Sequence, residues 1–278
     1  MANTVAAAAF GVYRSAPVSV VTAFQSRANW NQIAWSTWTT ERYVGFPGTV
    51  SYALPITPDD SVGELAAVAS GAHDGDFKQF ARNLLAYGRG NSIIRLGWEF
   101  NLPGTGSSAT VATLWAAAFR RIVDDLRSVA PHLLIDWCGN LGSDQTGYSS
   151  FDQLYPGDDH VDIVGVDAYN NRWNPATTTA DFNKYFVSGS GGLDAWRTFA
   201  LAHHKKLSVP EWGLDTTGGG DNPFFIAQMH AYFQAHASDI AYEDYFNETA
   251  TYIKGAVYPA AENPSASSTY AALWAQTG

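Results

Sequence analysis

Short runs of apolar and β-branched residues alternate along the chain with longer stretches in which apolar residues return every three or four positions, a pattern that predicts strand followed by helix, many times over. The candidate strands are Ala7–Tyr13, Gln32–Trp38, Val50–Ile56, Ser92–Gly97, Leu133–Cys138, Val161–Ala168, Lys206–Pro210 and Ala241–Phe246. The continuous run Ile163-Val164-Gly165-Val166 suits a parallel strand covered on both faces. Thr110–Val129 is the clearest helix, with Val111, Leu114, Trp115, Ala118, Ile122 and Leu126 on one face and Pro131 ending it. Asp76–Tyr87 repeats the pattern through Phe77, Phe80, Leu84 and Leu85; Asn222-Pro223 opens another helix, and a last one spans about Ser265–Gln276 after Pro264.

No linker or change of composition interrupts this order. Eight units in 278 residues, roughly 35 residues each, fit one (β/α)8 TIM barrel filling residues 1–278. An open doubly wound sheet would carry a nucleotide fingerprint, and neither G-x-G-x-x-G after a strand nor G-x-x-x-x-G-K-[ST] occurs. The glycine clusters at 189–192 and 218–220 read as loops.

Composition narrows the function. With 46% hydrophobic and 15% charged residues the chain can bury a large core, and its net charge of −10 argues against nucleic acid or an anionic membrane as partner. The apolar run Val5–Phe10 is far shorter than the ~20 residues of a membrane span. One cysteine, Cys138, precludes an internal disulfide and leaves the redox compartment open. The opening MANTVAAAAF lacks a basic n-region, so localisation is unassigned, with secretion favoured if a signal peptide has been removed. Ten Trp and fourteen Tyr suit flat ligands with polar edges, although most such rings serve the core.

In a barrel the active site forms where strands end at their C-terminal side, and two glutamates stand there. Glu99 follows the fourth candidate strand and Glu211 the seventh, which a closed barrel brings across its mouth from one another. Such a pair supports glycoside hydrolysis, although either residue taken alone is more often a salt-bridge partner. Trp137 and Asn140 follow the neighbouring fifth strand and are expected to line the same cleft, unless alternation turns Trp137 outward beneath a helix. Other chemistries lack their motifs: there is no H-x-H, H-E-x-x-H or G-x-S-x-G, His203-His204 reads as a helix-end contact, and Cys138 as a small buried hydrophobe.

Around these glutamates the chain resembles clan A of the glycoside hydrolases, most closely family 26, which includes β-mannanases and some xylan-cleaving enzymes. The resemblance rests on Arg95-Leu96-Gly97-Trp98-Glu99-Phe100-Asn101, Trp137-Cys138-Gly139-Asn140, the stretch Val161–Asn170, Pro210-Glu211-Trp212-Gly213 and Asn263-Pro264-Ser265-Ala266. It runs through the second half of the chain, and the first 90 residues match loosely. It implies Glu99 as acid/base, Glu211 as nucleophile, Tyr169 as a hydroxyl bonded to that nucleophile, and Arg95 as the charge that keeps it ionised. Trp98, Asn101 and Trp212 join Arg95, Trp137, Asn140 and Tyr169 as candidate substrate contacts. Two departures stand out: Trp98 replaces the family's usual His, and Leu102-Pro103-Gly104 replaces its aromatic-rich run.

The implied activity is retaining hydrolysis, endo-acting, of a β-linked polysaccharide of mannan or xylan type, by a monomer without cofactor or metal. The alternative is a carbohydrate-binding protein on a glycosidase scaffold.

Overall fold

A computed structural model describes residues 3–101, 109–142, 154–215, 219–260 and 262–275. Seven strands form one parallel sheet in chain order: β1 Val20–Phe24, β2 Thr49–Leu54, β3 Ile93–Leu96, β4 Leu134–Asn140, β5 Ile163–Asn170, β6 Lys206–Leu214 and β7 Ile240–Tyr245. The sheet curls into a nearly closed barrel, with β1 against β7, and helices pack outside it. Unbroken sequence order is what right-handed β–helix–β crossovers produce when each strand is laid beside the last. The expected Leu102-Pro103-Gly104 departure lies outside the described residues.

Two of the eight expected strands are helical instead. Ala7–Tyr13 belongs to a helix, Thr4–Tyr13, because four successive alanines favour that conformation and the Asn3 side chain caps it by accepting from Ala6 N at 2.9 Å. Gln32–Trp38 breaks into the short helices Trp30–Ala34 and Trp38–Glu41, the first capped by Asn29. The strand missed is β1, whose Val-Val-Thr-Ala-Phe alternates between half-buried and buried positions as a strand should. Glu99 thus follows the third strand and Glu211 lies within the sixth, and their separation of three strands is kept.

Since β1 and β7 are the ends of the hydrogen-bonded order, each has an unpaired edge along a common seam. The helix Thr4–Tyr13 covers it: Ala7 and Phe10 face the seam, Phe10 packs on Tyr270, and the Tyr13 hydroxyl donates to Ser267 O at 2.7 Å. Covering an edge in this way keeps it from pairing with another chain.

Strand alternation builds the interior in layers. Val20, Ile93 and Ile163 close the bottom around Tyr242. Above them the Tyr242 hydroxyl donates to Asp136 at 2.7 Å and meets Ser51 at 3.0 Å, while Ser208 also donates to Asp136 at 2.7 Å. Gly165 makes room for this layer, since a Cβ there would come within 2.6 Å of the Asp136 carboxyl. The larger apolar core lies outside the barrel, between strands and helices, where Trp115, Trp137, Trp196 and Trp212 are fully buried.

Candidate active site

The next layer up is ionic. Arg95 on β3 is completely buried, and its guanidinium is paired with both Asp167 on β5 and Glu211 on β6. Strand parity makes this possible: Asp136, Cys138 and Asn140 on β4 point inward at successive heights, as do Asp167 and Tyr169 on β5. The β6 pairing slips on both sides of Pro210-Glu211, between Gly165 and Ala168 towards β5 and between Val209 and Trp212 towards β7. A bulge of this kind tolerates a proline, which has no N–H for the ladder, and re-aims the residue that follows it. Glu211 accordingly turns inward, where the Tyr169 hydroxyl donates to its second carboxylate oxygen at 2.8 Å.

Glu99 stands above this layer on the turn leaving β3. Gly97 and Glu99 both have left-handed backbone, φ 56° and 55°, a conformation uncommon for a non-glycine residue. The turn is held by bonds to β4: Glu99 N donates to Cys138 O at 2.8 Å, and the Asn101 amide clasps Asn140 through both backbone groups, at 2.6 and 2.7 Å. The Asn140 side chain donates to the Glu99 carboxylate. Burial, and then the negative charge of Glu211, push the Glu99 carboxyl above its ordinary value, against the opposing pull of Arg95 and Asn140. Burial likewise pushes the Cys138 thiol well up, as suits an unreactive packing residue.

Both carboxyls open into one cavity of about 1100 Å³ that continues down the seam. Phe24 and Phe246 meet edge to face across it at 5.9 Å, and Phe246 also packs against Tyr169 at 5.8 Å. Trp98 lines the cavity with the Arg27 guanidinium 4.5 Å over its ring.

Of the nine expected site residues, the fold brings Arg95, Trp98, Glu99, Asn140, Tyr169 and Glu211 together, with Asn101 behind them in the turn. Trp137 and Trp212 are corrections. Each neighbours an inward-facing residue on its strand, and so points outward. Trp137 stacks on Phe100 at 4.3 Å and packs on Trp196 and Phe199, while Trp212 lies among Phe233, Tyr245 and Trp274 and donates to Glu243 at 2.6 Å. Asp167, Phe24, Arg27 and Phe246 were missed. Asp167 was findable, because it shares a strand face with Tyr169 two residues on; the other three required the true position of β1 or the barrel's closure. Among the described residues no group of His, Cys, Asp or Glu is arranged to hold a metal ion, and no helix is long and apolar enough to cross a membrane.

Residues 104–190, just under a third of the chain, match the family model described as glycosyl hydrolase family 26. That segment contains Asn140 and Tyr169 and excludes Glu99 and Glu211. A comparison with curated proteins found no match. Among solved structures, the catalytic domain of a GH26 endo-β-1,4-mannanase from Bacillus sp. JAMB-750 superposes with a TM-score of 0.60 at 19% identity, covering 88% of this chain and 69% of that one. The GH26 domain of an endo-β-mannanase/endo-β-glucanase from Prevotella bryantii gives 0.57 at 15%, covering 99% and 84%. A GH26 β-mannanase from Bacteroides ovatus gives 0.58 at 16%, covering 90% and 77%. Identities this low speak for the fold, that of the TIM-barrel glycoside hydrolases. In a central segment by sequence, and over most of its length by fold, the chain resembles glycosyl hydrolase family 26, which supports a glycosidase.

Proposed function

We propose that this chain is a single-domain, monomeric endo-acting hydrolase that cleaves a β-linked polysaccharide of mannan or xylan type with retention of configuration. The observation that carries the reading is the unequal treatment of two carboxyls in one cavity. Glu211 is gripped by Arg95 and Tyr169 at its base, whereas Glu99 is raised towards its protonated form by burial and by the charge of Glu211. An acid and a nucleophile need such a division. In the first step the Glu211 carboxylate attacks the anomeric carbon while Glu99 gives its proton to the departing glycosidic oxygen. In the second, Glu99 takes a proton from water, which displaces Glu211 from the glycosyl ester. The mannanase names of the structural neighbours make mannan the first substrate to try.

The test is a polysaccharide screen, mannans and xylans first, with the product anomer followed by NMR. Retained configuration at early times is expected, and initial inversion would refute the double displacement. Glycan binding that never yields reducing ends would instead mark a binding protein.

A further inference from the structure

The segment after β7, Asn247–Tyr258, is stitched into a fixed wall of the cleft. Asn247 accepts from Val257 N and Tyr258 N at 2.9 and 3.0 Å and donates to Tyr258 O at 2.6 Å. The Glu248 carboxylate caps Thr249 N and Ala250 N, Ala256 N returns to Glu248 O, and Asn263 holds Lys254 O and Ala256 O from behind at 3.0 Å each. Gly255 lies so close to β6 that a Cβ would meet Leu214 O at 2.4 Å. Ile253 is tucked in at 9% exposure, while the adjacent Tyr252 points out at 68% and lines the same cavity as Glu99 and Glu211.

We infer that Tyr252 is a preorganised platform for a distal sugar of the polymer, a specificity residue of this cleft. The inference rests on the proposed function. A tyrosine ring is a large, stiff apolar surface, and leaving it in water on a wall fixed by so many hydrogen bonds makes sense when a ligand covers it. Its hydroxyl makes no hydrogen bond among the described residues, and at 68% exposure the ring stands open to the cavity. The C–H face of a sugar complements that ring, and a rigid support removes the ordering cost that binding would otherwise carry.

The test uses Tyr252→Ala and Tyr252→Phe in the full chain, with the polysaccharide that the wild type cleaves, a one-sugar aryl β-glycoside, and electrophoresis through gels containing mannan or xylan. Tyr252→Ala should raise KM for the polymer about three- to tenfold, keep kcat and the aryl glycoside rate, and travel less retarded than wild type. Tyr252→Phe should behave as wild type. Equal KM and equal retardation in Tyr252→Ala, or a fall in kcat shared by polymer and aryl glycoside, overturns the inference while hydrolysis stands. If the wild type cleaves nothing but is retarded, and Tyr252→Ala is not, the platform stands and the hydrolase reading fails. A wild type neither active nor retarded overturns both.

Discussion

Glu99 combines a left-handed backbone with a carboxyl whose pKa is raised mainly by burial, and Asn140 is the neutral group that moderates it. A donor to the carboxylate favours its ionised form, so removing that donor must raise the pKa further. Asn140→Ala is therefore expected to carry the basic limb of the pH–rate curve, which reports loss of the acid's proton, to higher pH. A limb that stays in place or moves to lower pH would disconnect Asn140 from the acid. Glu99→Ala should lose roughly 10²–10⁴ in rate on a polysaccharide and far less on an aryl glycoside whose leaving group needs no proton. At this scale the sequence was informative: Glu99 and Glu211 stand out as carboxyls where candidate strands stop, and Arg95 and Tyr169 through the resemblance of their motifs to glycoside hydrolase family 26. Arg27 and Phe246 did not, because nothing local to them says what they face.

At the scale of the strand, parity decides which residues the cleft can use. On β4, Asp136, Cys138 and Asn140 face the barrel axis, and Trp137 must then face the helices. Trp137→Ala is accordingly expected to cost about 3–5 kcal/mol, the usual range for an aromatic removed from a packed core, with KM unchanged in the folded fraction. Thermal melting and steady-state kinetics check it, and a raised KM with an unchanged melting temperature would return Trp137 to the cleft. The same rule assigns Trp212, next to Glu211, to the shell between strands and helices. Parity was available from sequence once one inward residue on each strand was known. Fixing that one residue took the Arg95 ion pairs, which bring three strands together.

For the molecule as a whole, the polar barrel interior couples folding to pH. Burial raises the Asp136 carboxyl to about 6, while its two hydroxyl donors, Tyr242 and Ser208, pull the other way. In the unfolded chain the group titrates near ~3.9. Between these values the native state holds the extra proton, so stability declines as pH rises from about 4 to about 6 and the cost is complete above that window. The full effect is on the order of 3 kcal/mol. Asp136→Asn removes the titration, and its melting temperature relative to wild type should become more favourable from pH 4 to pH 7. A difference flat across that range would show that Asp136 titrates in the folded barrel as it does in the unfolded chain, its carboxyl not raised by burial.

Strand–helix alternation, the long helix Thr110–Val129, the parallel sheet and the two glutamates on strands three apart were all determined by the sequence, because each depends on residue type and spacing along the chain. The tertiary structure decided what depends on how elements meet. The alanine-rich start is a helix by local propensity and an asparagine cap, and the tertiary structure set that helix over the β1–β7 seam. It placed β1 at Val20–Phe24 and so set Phe24 and Arg27 at the mouth. It also joined Arg95 to Asp167 and Glu211, residues 72 and 116 positions away in the chain, a meeting that no local pattern encodes and that closure of the sheet brings about.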